Sequence, residues 1–105
     1  MKNELSQIIS QSRSLVFFGG AGVSTESEIP DFRSVDGLYN QKYDYPPERM
    51  LSHTFFERKT EDFYRFYRDK ILSYAVSAKP NAAHKRLAEL EERGILSAVV
   101  TQNID

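Results

Sequence analysis

The sequence has no cysteine among its 105 residues. This absence excludes disulfide bonds, thiolate metal sites and a cysteine nucleophile. Only two histidines are present, His53 and His84, and they stand far apart, so we expect no transition-metal site in this chain. Neither histidine neighbours a serine or a carboxylate in a recognisable catalytic pattern, and we therefore expect both to have structural roles.

The sequence also lacks a charge excess and a long apolar run. It has 14 lysines and arginines and 15 aspartates and glutamates, which gives a net charge of −1. Binding to nucleic acid or to an anionic membrane surface needs a net basic face, so we expect neither partner. No stretch approaches the roughly 20 apolar residues that span a bilayer. The first residues lead into no apolar segment of the signal-peptide type, and we expect a cytoplasmic protein.

Two short apolar runs predict strands, and helical spacing predicts helices between them. Residues 15–18 and 95–100 are apolar on both faces, which is typical of buried parallel strands. Apolar residues at helical spacing predict helices over about residues 3–12, 60–74 and 82–93. Strands separated by helices indicate an α/β fold. Two parallel strands alone make a poor sheet, so the chain is typical of the start of a doubly wound domain.

Local patterns predict where the helices begin and end. Thr54 and Glu57 fit a capping box, Asn81 is expected to cap the last helix, and Gly94 is expected to end it. Residues 29–47 have no sustained period and are predicted to form a long loop, a kind that often carries function. An apolar stripe at helical spacing is assigned to the core: Phe63, Phe66, Tyr67, Ile71 and Tyr74.

Three polar segments are candidate binding sites. The glycine turn, residues 20–22, directly follows a strand and can bring backbone N–H groups to a phosphate, or can be a tight turn without a ligand. Residues 101–105 follow the other strand, so they can face the same crevice or form a polar loop with an Asx-type turn. In the long loop, Phe32 can cover a planar ligand and Arg33 can meet a phosphate or pair with Asp31.

Five blocks of the sequence have a specific family pattern: Gly20-Ala21-Gly22-Val23-Ser24-Thr25-Glu26-Ser27, Ile29-Pro30-Asp31-Phe32-Arg33-Ser34, Gly37-Leu38-Tyr39, Pro80-Asn81-Ala82-Ala83-His84 and Thr101-Gln102-Asn103-Ile104-Asp105. In these blocks the chain resembles the sirtuins, which are NAD-dependent protein-lysine deacylases. The resemblance implies that residues 1–105 are the N-terminal portion of a sirtuin catalytic domain, with 29–47 as the cofactor-binding loop. It implies the first strands and helices of a Rossmann-like, NAD-binding α/β domain.

The resemblance also implies a reaction and a set of cofactor contacts. The acyl group of an acyl-lysine protein substrate passes to ADP-ribose as nicotinamide leaves. Phe32 would shield the nicotinamide ribose from water, Asp105 would bond the carboxamide, and Asn103 would support catalysis through an ordered water. The implied cofactor-binding residues are Gly20, Ala21, Gly22, Thr25, Ile29, Asp31, Phe32, Arg33, Gln102, Asn103, Ile104 and Asp105.

The chain departs from the family pattern in two ways. Glu28 stands where the family commonly has glycine, and any positive φ at that position becomes costly. The family's catalytic histidine lies beyond the 101–105 block, and the cysteines that hold its zinc are absent here, so we expect these residues alone to be inactive. Two other hypotheses remain: a non-enzymatic module that binds NAD or ADP-ribose, and a structural piece whose sheet edge is completed by the missing C-terminal half or by self-association.

Overall fold

A computed structural model describes residues 2–33 and 37–105, and the structural statements below refer to these residues. Helix α1 (Lys2–Gln11) leads into strand β1 (Leu15–Gly19) and a first 3₁₀ helix (Ala21–Ser27). The remaining elements follow in chain order: a second 3₁₀ helix (Leu38–Asn40), α2 (Pro47–Met50), α3 (His53–Arg58), α4 (Thr60–Tyr67), a π-helical turn (Arg68–Leu72), α5 (Ser73–Ser77), α6 (Ala82–Glu92) and strand β2 (Leu96–Thr101). None of the described helices is long and apolar enough to cross a membrane.

The two strands pair in parallel, which confirms the predicted α/β arrangement of a partial, Rossmann-like sheet. The register pairs Phe17 with Val99 and Gly19 with Thr101. Both strands therefore end at the same edge of the sheet. As a consequence, the glycine turn and residues 102–105 leave the sheet side by side.

The prediction that both strands are buried is wrong. Phe18 is 81% exposed and Val16 is 57% exposed, and in β2 only Leu96 is buried. Helix α6 packs against β2, and Leu90 of α6 is buried, but the two strands present more apolar surface than the described elements cover. The radius of gyration is 17.2 Å, against about 13 Å for a compact domain of this length.

The main core lies in the helical part of the chain instead of on the sheet. Its buried members are Leu38, Met50, Phe55 and Phe66, each at most 7% exposed. Aromatic side chains of the loop complete it, with Tyr43 edge-on to Phe66 at 5.1 Å between ring centroids. The stripe assigned to the core is thus only partly buried: Phe66 is enclosed, whereas Phe63, Tyr67, Ile71 and Tyr74 are half-buried.

The predicted bounds of α1 and α6 hold to within one residue. The helix predicted over 60–74 begins at Thr60 as expected, but a π-helical turn interrupts it and it continues to Ser77. The capping box at Thr54 and Glu57 is wrong. Helix α3 begins at His53, two residues earlier than a cap at Thr54 would place it, and Ser52 is its cap, with its hydroxyl accepting from Phe55 N at 3.1 Å. Asn81 caps α6 as predicted, and Gly94 follows α6 with φ of +75°. Of the predicted loop, 29–47, residues 29–33 and 41–46 lie outside regular helices and strands, and residues 34–36 lie outside the described part of the chain. The loop also contains the second 3₁₀ helix, and α2 begins at its last residue, Pro47.

Candidate functional site

Two long-range hydrogen bonds join the segments that follow the two strands. The Asn103 side-chain amide donates to the carbonyl oxygen of Gly20 at 2.9 Å. The hydroxyl of Ser24 donates to a carboxylate oxygen of Asp105 in a short contact. These partners are more than 80 residues apart in the chain, and they meet because the parallel register places both strand ends at one edge.

The first 3₁₀ helix starts within the glycine turn, at Ala21, and ends in an unusual backbone conformation. Ser24 lies inside it at 2% exposure, which makes it the most buried polar side chain described. Glu28, immediately after the helix, has φ of 64° and ψ of 23°, the left-handed region. The resemblance implies a glycine at this position, and the φ observed there is positive. Because Glu28 has a Cβ, this conformation costs about 1–2 kcal/mol.

The start of the loop is held against the second 3₁₀ helix. Leu38 N donates to the carbonyl oxygen of Asp31 at 2.6 Å, and Tyr39 N donates to that of Phe32 at 2.7 Å. A Cβ on Gly37 would lie 2.7 Å from Asp31 Oδ1 and 2.9 Å from the Phe32 carbonyl, so this close approach needs glycine. Phe32 is thereby fixed, with its ring 5.4 Å from the ring of Tyr39.

A cavity of about 220 Å³ opens between the strand ends, the loop and the long helix formed by α4, the π-helical turn and α5. Ser24, Asn103 and Asp105 supply polar groups from the strand ends, and the helical wall is mostly apolar and aromatic but includes Lys70. Seven of the predicted cofactor-binding residues line it: Ala21, Ile29, Phe32, Gln102, Asn103, Ile104 and Asp105. The arrangement suits a planar, mostly apolar ligand with one polar group.

A second cavity of about 520 Å³ lies between one face of the sheet and the start of α6. It shares Ile29, Ala75, Asn103 and Asp105 with the smaller cavity. Phe17 and Val99 form its floor, and His84 lies on its wall. The Nδ1 atom of His84 accepts a hydrogen bond from Asn81 N at 3.1 Å, so the histidine has the structural role that the sequence predicts.

The other predicted residues lie around these cavities. Gly20 and Gly22 have nothing within 4 Å of the position that a Cβ would take, so the backbone of the glycine turn faces open space. Thr25 is exposed and its hydroxyl donates to the carbonyl oxygen of Gly22 at 3.0 Å. Asp31 is half-buried beneath Gly37, and the exposed Arg33 has its guanidinium 5.6 Å from the centre of the Tyr39 ring. Their roles toward a cofactor stay predictions.

Several residues of the site carry no role in the sequence analysis. Ser24 belongs to a quoted block, and its burial beside Asp105 is what marks it. Tyr67, Ile71 and Tyr74 were assigned to the core, yet they face the smaller cavity. Periodicity identifies the apolar side of a helix but not what that side faces, so the apolar stripe itself was the only available signal.

One tyrosine near the cavities, Tyr43, has a shifted pKa. Burial raises the pKa of the Tyr43 phenol, and the neighbouring Tyr74 on the cavity wall adds to the effect. Within the described ranges, 2–33 and 37–105, no three histidine, aspartate or glutamate side chains are grouped so as to hold a metal ion. The strand ends bring amide, hydroxyl and carboxylate groups to the smaller cavity, and Lys70 brings an amine from the helix.

Comparison with known proteins decides the family. A model of the Sir2 family matches residues 20–105, most of the chain. The chain belongs to the Sir2 family. It is 64% identical to the NAD-dependent protein deacetylase of Clostridium acetobutylicum, over 98% of this chain and 42% of that protein. It is 45% identical to the NAD-dependent protein deacetylase of Thermotoga maritima, over 97% of this chain and 39% of that protein.

Solved Sir2 structures share the fold of this member of the family. One Sir2 protein, solved with a deacetylated p53 peptide and 3'-O-acetyl ADP-ribose, has a TM-score of 0.84 at 44% identity and covers 97% of this chain. A Sir2 homologue in an ADP-ribose complex has a TM-score of 0.85 at 40% identity over the whole chain. The aligned parts are 39% and 41% of those two chains, so this chain spans about two fifths of the length of the relatives it matches.

Proposed function

We propose that residues 1–105 are the N-terminal portion of the catalytic domain of an NAD-dependent protein deacetylase or deacylase, with 29–47 as its cofactor-binding loop. One observation carries the proposal: the Ser24–Asp105 and Gly20–Asn103 hydrogen bonds bring the glycine turn and the second strand end to the wall of one cavity. In open α/β sheets, ligands bind beyond the carboxyl ends of the strands. The names of the similar Sir2 proteins support NAD as that ligand.

The residues present fit NAD. The two cavities, of about 520 Å³ and 220 Å³, adjoin at Asn103 and Asp105, so a two-part ligand can occupy both. Open space at Gly20 and Gly22 leaves the backbone of the glycine turn accessible to phosphate oxygens. The carboxylate of Asp105, on the wall of the smaller cavity, is an acceptor for the two N–H donors of a carboxamide.

Each segment would then have a distinct task. Residues 20–22 would hold the phosphates, and Asp105 with Ile29 would hold the nicotinamide. Gln102 and Asn103 would bond the ribose hydroxyls, and Asn103 would orient an ordered water. Phe32, fixed by its backbone bond to Tyr39, would cover the ribose and exclude bulk water.

NAD, when bound, supplies an ADP-ribosyl group whose bond to nicotinamide can break. The residues of this chain would position that bond and keep water from it, because breaking it builds positive charge on the ribose and needs placement and desolvation more than a strong acid. Asn103 has a supporting part here. The general-base histidine and the zinc-bearing domain are expected from the family and lie outside these residues.

The decisive experiment is a deacetylation assay on the full-length protein. An acetyl-lysine peptide and NAD should give deacetylated peptide and free nicotinamide in equal amounts, with no reaction when NAD is omitted. Asn103→Ala should lower the rate, whereas Arg58→Ala, at the exposed end of α3, should not change it. Saturable NAD binding without nicotinamide release would favour a non-enzymatic nucleotide-binding module instead.

A specific observation also favours a sheet that further structure completes. Phe18 and Val16 on one face of β1 are largely exposed, although apolar strand residues are normally covered. We propose that the remainder of the protein covers this face. Sedimentation of the isolated 105-residue chain should then show self-association, and a well-behaved monomer would count against this proposal.

A further inference from the structure

Asn81 uses its whole side-chain amide to join α6 to the first 3₁₀ helix. Its Nδ2 donates to the carbonyl oxygen of Val23 at 2.7 Å and to the hydroxyl of Ser27 at 3.1 Å. Its Oδ1 accepts from Ala83 N at 2.9 Å and from His84 N at 3.3 Å. One side chain therefore caps a helix and binds a segment more than 50 residues earlier in the chain.

The first 3₁₀ helix needs such support. It runs for seven residues, whereas 3₁₀ helices longer than three or four residues are uncommon because their hydrogen-bond geometry is poor. No side chain caps its start at Gly20, and it ends at Glu28 in the left-handed conformation. Its long-range side-chain bonds come from Asn103 at the start, Asp105 at Ser24, and Asn81 on both sides of Ser24.

We propose that Asn81 is a positioning residue for the nicotinamide end of the cofactor site. Its bonds to Val23 and Ser27 flank Ser24 in the chain and hold the segment that presents the Ser24 hydroxyl to Asp105. Asn81 itself lines neither cavity. Its partners Val23 and Ser27 line the larger cavity, and Ser24 between them lines the smaller one, so the proposed effect at the nicotinamide end passes through Ser24. The proposal rests on the proposed function for the identity of the ligand, but the packing that carries it is independent of any ligand.

Two substitutions separate this role from helix capping. Serine and aspartate are N-cap residues about as good as asparagine, so Asn81→Ser and Asn81→Asp keep the start of α6. Both variants also keep the hydrogen bond that the backbone N–H of residue 81 donates to His84 Nδ1. Both lose the amide donors to Val23 and Ser27, and the serine variant does so without adding a charge.

The first test is amide hydrogen exchange in the ligand-free, full-length protein. In both variants, exchange in residues 21–27 should accelerate at least tenfold, and exchange in α6 should change less than threefold. Unchanged exchange in residues 21–27 would overturn the proposal. Acceleration spread equally over both segments would also overturn it, because it would show a general loss of stability. This measurement decides on Asn81 even if the protein binds no NAD.

The second test compares the affinities for NAD and for ADP-ribose, which lacks nicotinamide. Both variants should weaken NAD binding about tenfold and ADP-ribose binding by less than threefold, since Asp105 is placed at the nicotinamide. Ser52→Ala removes the cap of α3, far from the site in sequence, and should leave the ratio of the two affinities unchanged. Equal weakening of both ligands by the Asn81 variants would overturn the positioning role.

A double-mutant cycle links Asn81 to Ser24. If Asn81 acts through Ser24, the variant carrying Asn81→Ser and Ser24→Ala should bind NAD no more than about threefold more weakly than Ser24→Ala alone. Multiplicative losses would show that the two residues act independently. Absence of NAD binding by the unaltered protein would refute the proposed function, and the exchange data would remain interpretable.

Discussion

Replacing Glu28 by glycine is expected to stabilise the protein, although it removes a side chain. Glu28 has φ of 64°, the only positive φ of a non-glycine residue in the described part of the chain. A non-glycine residue in this conformation is destabilised by about 1–2 kcal/mol. Glycine avoids this strain, but its larger entropy loss on folding destabilises the folded state by roughly 0.5–1 kcal/mol. The difference leaves a net gain of about 0–1.5 kcal/mol for Glu28→Gly, with a midpoint of about 0.8 kcal/mol.

The assay is urea denaturation of the full-length protein with two matched variants. Glu28→Ala removes the carboxylate but keeps the Cβ, so it should change the free energy of unfolding by less than about 0.5 kcal/mol. Glu26→Gly makes the same change two residues earlier, inside the first 3₁₀ helix and at an ordinary φ, and should destabilise by about 0.5–1 kcal/mol.

The two glutamate-to-glycine variants should therefore shift the denaturation midpoint in opposite directions. A loss of stability in Glu28→Gly similar to that in Glu26→Gly would refute the left-handed conformation as a source of strain. An equal gain in Glu28→Ala and Glu28→Gly would assign the effect to charge and not to the backbone.

Three further predictions concern the helical part. Ser52→Ala should cost about 1 kcal/mol in urea denaturation because it removes the cap of α3, whereas Thr54→Ala should cost less than about 0.5 kcal/mol; equal costs would contradict the cap assignment. Phe66→Ala should cost about 3–5 kcal/mol because Phe66 is 4% exposed in the core, and a loss below about 1 kcal/mol in the same assay would contradict that placement. The pKa of Glu89 is lowered, first by the hydrogen bond from Arg86 and also by the positive charges of Arg86 and Arg93. The ionised carboxylate therefore stabilises the fold above the ordinary pKa of 4.5, and this stabilisation is lost as the pH falls through the lowered pKa. Glu89→Gln should accordingly be less stable than the unaltered protein at neutral pH and equal to it in strong acid, and a difference that persists in acid would exclude this ion pair as the cause.

Features set by local sequence could be predicted without the structure. The end of β1 at its glycines, the cap at Asn81 and the left-handed Gly94 each depend on a few neighbouring residues. At α3 the same reasoning failed, because Ser52 and Thr54 both suit an N-cap and the Glu57 partner favoured the wrong one. Side-chain chemistry could not distinguish two caps that lie two residues apart.

Features set by long-range packing could not be predicted in the same way. The apolar character of β1 and β2 indicated burial, but burial depends on which elements are present to cover a face, and Phe18 lies open. Only the glycine that the family commonly has at position 28 pointed to a positive φ there, because glutamate itself gives no such signal. The contact between Ser24 and Asp105 joins positions 81 residues apart, so only the parallel register makes it visible.

The central claim is that Asp105 and its neighbours hold the nicotinamide end of NAD, and one measurement tests it most directly. Equilibrium titration of the full-length protein and its Asp105→Asn variant with NAD and with ADP-ribose separates the nicotinamide contact from the rest of the cofactor. We expect Asp105→Asn to weaken NAD binding at least tenfold, the loss of a charge-assisted hydrogen bond, and to leave ADP-ribose binding within about threefold. Equal affinities of both proteins for NAD, or equal losses for both ligands, would contradict the claim.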